Sequence, residues 1–472
     1  MTLSIFSRMY LFRRLFCILF LLSSTLRPIS SCIPGKSGKG NELTADAFSA
    51  GYYCTNGSSG NNTDGYCGLT KLLVVQVIFR HGDRTLIFHY PKDPNQNSSG
   101  VLHLKRKGIL TNKGKVQAYE LGQYLHSRYR KFLKGTLIPE EVLVQSSEIS
   151  RAIMTAQMCL AGLFPPCEAH HHQPGCEGKW DPSIKWQPVP VYQIPRKLDN
   201  KILFQRDTCP AYTSEFKRVL ECPLIEEFKK SHQETFQYIK EHTGMDEVNI
   251  ENVGQVHDTL FIQSLYNISL PNWTEKVYPE PMKTMSDLGF QILSANREMM
   301  KFNGGPLLKE VIENMESTVE FLKCPKKQKE KKRVKKVYLY SGHDTTVAAF
   351  LATLSVFDTH QPPYTSAVIV ELHQMQEKGS GSKKHLVKVF YRNSTAVAPR
   401  EMIIPDCGNP CHLDKLKEVV RDLLLEDWGA ECNQTFFSYF LDWLSRPLTY
   451  ILNLLAEAFA DTLKRLRCCL HF

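Results

Sequence analysis

A histidine flanked by two arginines, directly after an apolar stretch, is the part of this 472-residue sequence best suited to chemistry. Residues 79–85 read FRHGDRT, and the β-branched run 72–78 before them has the pattern of a buried strand. Arg80 and Arg84 could neutralise the oxygens of a phosphate monoester, while an imidazole nitrogen of His81 attacks the phosphorus. The motif therefore predicts phosphoryl chemistry at the end of a strand.

A second strand-like run, residues 337–340, leads into His343 and Asp344, and helical sequence follows. Parallel strands of an α/β sheet bring such ends to one crevice, so we expect His81 and His343 to lie together. Taken alone, Asp344 is also what a helix N-cap would look like.

Arg151 is the third candidate. It stands near the start of a predicted helix, 150–163, that follows a predicted strand, 142–145, and it could enter the same crevice. A surface salt bridge would give the same local sequence.

The elements around these motifs predict an α/β fold, with a mostly parallel sheet flanked by helices and a mainly helical cap domain inserted. Two further strands, 367–372 and 386–391, are expected to be antiparallel. We expect the following division: a signal peptide, 1–31; an N-terminal extension, 32–71; an α/β core, 72–195 and 323–432; a helical cap, 196–322; and an amphipathic C-terminal tail, 433–472.

The first residues and the cysteines indicate the secretory pathway. Arginines flank the short apolar run 15–22, and small residues follow it, which is a signal-peptide pattern. Fifteen cysteines then favour an oxidising compartment with several disulfides. Glycosylation sequons begin at seven asparagines: Asn56, Asn61, Asn97, Asn267, Asn272, Asn393 and Asn433. These features predict a disulfide-bonded glycoprotein that is secreted or lysosomal.

The net charge of +10 does not indicate a nucleic-acid partner, because two segments account for it. They are the signal region and the lysine run 323–336, which could bind an acidic glycan or simply be a solvated loop. In the tail, apolar residues keep helical spacing without a stretch long enough to span a bilayer, which favours an amphipathic helix on a membrane or on the protein.

The chain resembles the histidine acid phosphatases, and in particular the prostatic and lysosomal group. The resemblance rests on RHGDRT at 80–85 paired with SGHDTT at 341–346, and on shorter matches such as LFPP at 163–166 and YRN at 391–393. It runs from about Leu72 to Cys432.

The resemblance implies a role for each candidate. His81 would be the nucleophile that forms a phosphohistidine, and Asp344 would protonate the leaving alcohol. The phosphoryl oxygens would be held by Arg80, Arg84, Arg151 and His343. A cationic cluster favours a neutral imidazole at acidic pH and stabilises charge in the transition state. No metal or other cofactor is implied.

The resemblance also implies two disulfides, Cys209 with Cys432 and Cys407 with Cys411, and a homodimer. The histidines 170–172 look like a metal tract, but they lie between Cys167 and Cys176, and we favour a disulfide-closed solvated loop there.

The leading function is thus an acid phosphatase acting on phosphate monoesters of small molecules or proteins. Three alternatives stay open: an inositol phosphate phosphatase, a lipid phosphatase docked on a membrane by its tail, and a catalytically silent secreted relative that binds glycans or membranes.

Overall fold

The computed structural model describes residues 51–54, 67–96, 107–133, 137–166, 181, 183–203, 206–324, 334–376, 383–395 and 397–433. The predicted signal peptide, the histidine tract 170–172, the middle of the lysine run and nearly all of the tail lie outside these residues. Among the described residues, no helix has both the length and the apolar character needed to cross a membrane.

The described strands form one mixed sheet of nine strands. They are β1 (Gly51–Cys54), β2 (Cys67–Arg80), β3 (Val142–Ser147), β4 (Tyr192–Ile194), β5 (Val337–Gly342), β6 (Ala367–Gln376), β7 (Lys383–Arg392), β8 (Arg400–Met402) and β9 (Cys411–His412). Strand β2 begins earlier than residue 72 and pairs with β1, so part of the predicted N-terminal extension belongs to the sheet.

The main strand order is β4-β3-β5-β2-β6-β7-β8. The four strands from β4 to β2 are parallel. From β2 through β8 each pairing is antiparallel, and this confirms the predicted antiparallel pair β6 and β7. The α/β prediction is therefore confirmed, but "mostly parallel" describes only the half of the sheet that carries the motifs.

The helices alternate with the parallel strands and then follow one another between β4 and β5. They are α1 (Asn112–Leu133), α2 (Ser150–Leu163), α3 (Pro210–Leu220), α4 (Pro223–Ser231), α5 (Gln233–Thr243), α6 (Val253–Leu265), α7 (Met282–Ile292), α8 (Arg297–Phe302), α9 (Gly305–Lys323), α10 (Asp344–Thr353), α11 (Leu413–Val419) and α12 (Trp428–Asn433).

Apolar side chains of β2 are buried on both faces, which explains its almost unbroken apolar sequence. Val75 and Val77 pack in a cluster with α1 and α2, whereas Val74 and Ile78 pack in another cluster with α9 and α10. The central strand is thus held between two helical layers.

Helices α3 to α8 bury their apolar side chains mainly in a third cluster of their own. A disulfide between Cys209 and Cys432 ties this helical layer to α12, and a second disulfide joins Cys407 to Cys411. Helix α9 packs on the sheet, so these contacts favour grouping it with the core. The division at residues 196 and 322 stays a prediction.

A buried carboxylate clamps α1 to the sheet. Glu371 of β6 accepts hydrogen bonds from Arg128 Nη2 at 2.8 Å and from the Tyr129 hydroxyl at 2.6 Å. Its second oxygen lies 2.8 Å from His373 Nε2. Burial opposes ionisation of Glu371, but His373, Arg128 and Tyr129 outweigh it and lower its pKa to about 2.

We expect Glu371→Gln to lower the free energy of unfolding by about 3 kcal/mol at pH 6, because it removes the charge that pairs with the partly buried Arg128. The stabilisation is complete above the unfolded-state pKa, about 4.3, and is lost as pH falls toward 2. Urea unfolding at several pH values should show the difference shrinking across that window. The exposed control Glu401→Gln should change little, and an equally large effect at pH 2.5 would contradict the ionic explanation.

Candidate active site

Two neighbouring strand ends carry the two histidine motifs. Strands β2 and β5 are parallel and in register up to Arg80 opposite Gly342, so His81 and His343 leave the sheet side by side. Their ring centroids are 5.5 Å apart. The structure therefore brings the two motifs to one crevice, as expected from the sequence.

The loop after β2 is seated against the start of α1. A Cβ on Gly82 would lie 2.3 Å from the carbonyl oxygen of Gly114, and a Cβ on Gly114 would lie 2.1 Å from that of Asp83. Only glycine permits so close a backbone approach. Asp83 fixes the loop further, since its carboxylate accepts hydrogen bonds from the hydroxyls of Thr111 and Tyr266. Asp83 thus holds the loop that carries His81.

The His81 ring is held in one tautomer. Its Nδ1 lies 2.8 Å from the carbonyl oxygen of Gly82, which can only accept a hydrogen bond. In the neutral ring Nδ1 therefore carries the proton, and Nε2 has the lone pair. His81 is 2% exposed, so very little of the ring is open to solvent.

Arg80 links the two motifs. One guanidinium nitrogen donates to the Pro362 carbonyl oxygen at 2.6 Å, and another lies 2.9 Å from Asp344 Oδ2. The group also stacks over the Tyr364 ring, 4.3 Å from its centroid. These contacts fix a guanidinium beside His81.

Arg84 is held from the helical layer. Its Nη2 contacts both carboxylate oxygens of Asp258 in α6, at 3.1 and 3.0 Å. The pairing joins the loop after β2 to a helix far along the chain, and it raises the pKa of Arg84 despite burial. Asp258 is therefore a positioning residue for one of the candidate phosphate-binding arginines.

Four buried hydrogen-bond donors around the histidines have no acceptor among the described residues. They are Arg80 Nε, Arg84 Nε, Arg151 Nε and the Tyr364 hydroxyl. Buried donors without acceptors are costly, and an anion with several oxygens would satisfy them together. Arg151 thus belongs to the crevice, since its charge also acts on His81, His343 and Asp344.

Burial and the surrounding cations keep both histidines neutral. Burial, then Arg80, Arg151, His343 and Arg84, lower the pKa of His81 well below its usual range. Burial and the same arginines lower the pKa of His343 to about 3. An imidazole with this environment keeps its lone pair in mildly acidic solution, where an ordinary histidine would be protonated.

Burial raises the pKa of Asp344, but Arg80, Arg84 and His343 outweigh it, and the pKa of the carboxyl is lowered on balance. A bound phosphate dianion would offset the arginine charges and so raise this pKa again. Asp344 could then hold a proton in the complex with substrate.

We expect Arg151→Gln to lower kcat/KM about tenfold to a hundredfold, through loss of charge-assisted hydrogen bonds to phosphate. Losing this cation also favours the imidazolium form, so the pKa of His81 rises and the acidic limb of the kcat/KM profile moves to higher pH. The measurement is that profile with phenyl phosphate. Arg218→Gln, on the surface, should leave it unchanged, and a uniform loss without a shift would argue against the electrostatic role.

The family model of the histidine phosphatase superfamily (branch 2) matches residues 87–392. The chain belongs to this superfamily. The match begins just after the first motif, so it does not include His81. The chain is 32% identical to a prostatic acid phosphatase of Bos taurus, over 78% of this chain and 89% of that protein. It is 30% identical to a lysosomal acid phosphatase of Rattus norvegicus, over 77% and 80% respectively.

Solved structures agree on the fold of this branch-2 histidine phosphatase. A phytase from Citrobacter braakii aligns with a TM-score of 0.53 at 15% identity, covering 77% of this chain and 99% of that one. A Hafnia alvei phytase in complex with tartrate gives 0.52 at 14% identity, covering 77% and 98%. At these identities the likeness concerns the fold alone.

Sequence reasoning missed three residues of this phosphatase site. Asp258 and Tyr364 lie on segments without a recognisable motif, and Ser147, whose hydroxyl is 2.9 Å from His343 Nε2, ends strand β3. Only Ser147 left a signal, because it ends a parallel strand next to β5. The other two depend on how the helical layer and the loop before β6 fold over the strand ends.

Proposed function

We propose that this protein is an acid phosphatase that hydrolyses phosphate monoesters through a phosphohistidine at His81. The observation that carries the proposal is the set of four buried, acceptor-free donors around a histidine whose Nε2 has a lone pair. Such a cage suits a phosphoryl group, with its spread of negative oxygens, better than a neutral ligand.

In the first step His81 Nε2 attacks phosphorus, and the bond from phosphorus to the leaving oxygen breaks. Arg80, Arg84 and Arg151 stabilise the charge on the phosphoryl oxygens, and the family resemblance adds His343, whose Nε2 lies 2.9 Å from the Ser147 hydroxyl, to the groups around them. Asp344 gives its proton to the leaving oxygen, so that a neutral alcohol departs.

In the second step the Asp344 carboxylate accepts a proton from water as the water oxygen attacks phosphorus. The bond between phosphorus and Nε2 breaks, which returns neutral His81 and releases phosphate.

Three guanidiniums supply the charge stabilisation in both steps, so we expect turnover to persist in a chelator such as EDTA.

The covalent intermediate can be tested with glycerol as a second acceptor. If all substrates form one phosphoenzyme, the ratio of glycerol phosphate to inorganic phosphate must be the same for phenyl, 4-nitrophenyl and alkyl phosphates. A ratio that varies with the leaving group would overturn the shared intermediate. Absence of any hydrolysis from pH 4 to 8 would overturn the proposed phosphatase activity. It would favour the alternative of a catalytically silent binding protein.

We further propose a secretory route, with a secreted or lysosomal destination. The sequon asparagines that fall on described residues, 267, 272, 393 and 433, are exposed, as glycosylation requires. The homodimer and a membrane contact of the tail remain predictions; sedimentation would test the first, and liposome binding with and without residues 433–472 would test the second.

A further inference from the structure

The site opens into two cavities that are lined by different active-site residues. One, of about 690 Å³, is lined in part by Arg84 and Asp344. The other, of about 960 Å³, is lined in part by Arg80 and Tyr364, and Gln361 borders both. Because Asp344 is the proposed proton donor to the leaving oxygen, the leaving group extends into the smaller one, named here the leaving-group cavity.

Away from the arginine cluster, the leaving-group cavity is walled mainly by apolar side chains. Five of them come from the helical layer and the loop after β2: Phe88, Phe216, Ile250, Phe290 and Leu293. Its volume is in the usual range for small-ligand sites. An alcohol that buries apolar surface here gains binding energy in proportion to that surface.

Charges in this cavity are already paired. Arg84 is bound to Asp258, and Arg206 lies 2.8 Å from Glu251 while stacking 4.5 Å over the Phe216 ring. With Asp344, the carboxylates outnumber the guanidiniums among the described lining residues. A second phosphate on the leaving group would therefore find carboxylates and no unpaired cation there.

We infer that the substrates of this site are monophosphates of uncharged, mainly apolar alcohols, whose alkyl or aryl group fills the leaving-group cavity, and not polyphosphorylated alcohols such as inositol hexakisphosphate. The inference rests on the proposed phosphatase activity. It adds the chemical class of the leaving group to it.

The test uses the full-length glycosylated protein with ethyl, butyl and hexyl phosphate. Their leaving alcohols have nearly the same pKa, so differences in kcat/KM report binding of the chain and not bond breaking. We expect kcat/KM to rise about twofold to fourfold with each methylene. Inositol hexakisphosphate should be hydrolysed at least a hundredfold less efficiently than hexyl phosphate.

Two phenylalanines provide a matched pair of variants. Phe290 lines the leaving-group cavity from α7, whereas Phe261 lines the larger cavity from α6, and both are half-buried. Phe290→Ser should flatten the chain-length dependence and cost at least tenfold in kcat/KM for hexyl phosphate. Phe261→Ser should leave the chain-length dependence and kcat/KM for hexyl phosphate unchanged. Leu293→Lys, which adds an unpaired cation, should raise kcat/KM for 1,6-hexanediol bisphosphate relative to hexyl phosphate.

These experiments distinguish a failure of the inferred leaving-group class from a failure of the proposed phosphatase activity. If no alkyl phosphate is hydrolysed, the phosphatase proposal itself fails. If all are hydrolysed with no dependence on chain length, or if Phe261→Ser alone removes that dependence, the phosphatase stands and the inferred leaving-group class or cavity is wrong. Thermal unfolding of each variant checks that a lost dependence does not come from a lost fold.

Discussion

Replacing His81 with alanine is expected to lower kcat for phenyl phosphate by about 10⁴-fold or more, because it removes the imidazole nitrogen proposed to attack phosphorus. The loss should occur at every pH from 4 to 8. Added imidazole should restore part of the turnover, since it can enter the truncated site and take the phosphoryl group itself. Steady-state kinetics with and without imidazole are the measurement.

The control for this prediction is His385→Ala. Burial also lowers the pKa of His385, but it lies on β7 opposite Gln374, and we expect full activity. If His81→Ala retained a tenth of the wild-type activity, a covalent intermediate at this residue would be excluded.

The second large effect is expected for Asp344→Asn, and its size should depend on the leaving group. Alkyl phosphates need a proton on the departing oxygen, so kcat should fall about 10² to 10⁴-fold. The 4-nitrophenolate ion leaves without a proton, so 4-nitrophenyl phosphate should lose far less. Comparing kcat for the two substrates is the measurement.

The pH dependence follows from the same proton. The acid form of Asp344 is lost as pH rises through its pKa in the complex, so kcat for alkyl phosphates should fall on the basic side, and Asp344→Asn should remove that fall. Asp258→Asn is the matched control, because it also removes a carboxylate from an active-site arginine. Asp258→Asn should lower turnover of alkyl and 4-nitrophenyl phosphates by the same factor. If its effect depended on the leaving group, the assignment of the acid to Asp344 would be contradicted.

Much of the site could be predicted because it is built from strand ends. His81 and His343 follow apolar runs whose pairing as adjacent parallel strands is the usual outcome in an α/β fold. Arg151 follows the same logic from β3, although its sequence alone did not exclude a surface salt bridge. Local pattern also predicted helix 150–163 with the bounds that the structure has.

The remaining contacts join segments that are far apart in the chain. Asp258 reaches Arg84 from α6, and Tyr364 reaches Arg80 from the loop before β6. Neither has a periodicity or spacing that points to the site, because a sequence pattern reports the local element and not the partner it packs against. The sequence likewise predicted strands in the antiparallel half of the sheet. It did not predict how much of the whole sheet is antiparallel.

The sequence by itself determined the chemistry-bearing groups, namely two histidines, three arginines and an acid, together with the strands and helices that carry them. The sequence pattern did not show which His81 nitrogen has the lone pair; the folded loop did, because it places the neighbouring Gly82 carbonyl 2.8 Å from Nδ1. The tertiary structure also decided that Asp344 faces an apolar cavity whose charges are paired. The pKa values and the leaving-group environment depend on distances between atoms that are remote in the chain, and these distances exist only once the chain has folded.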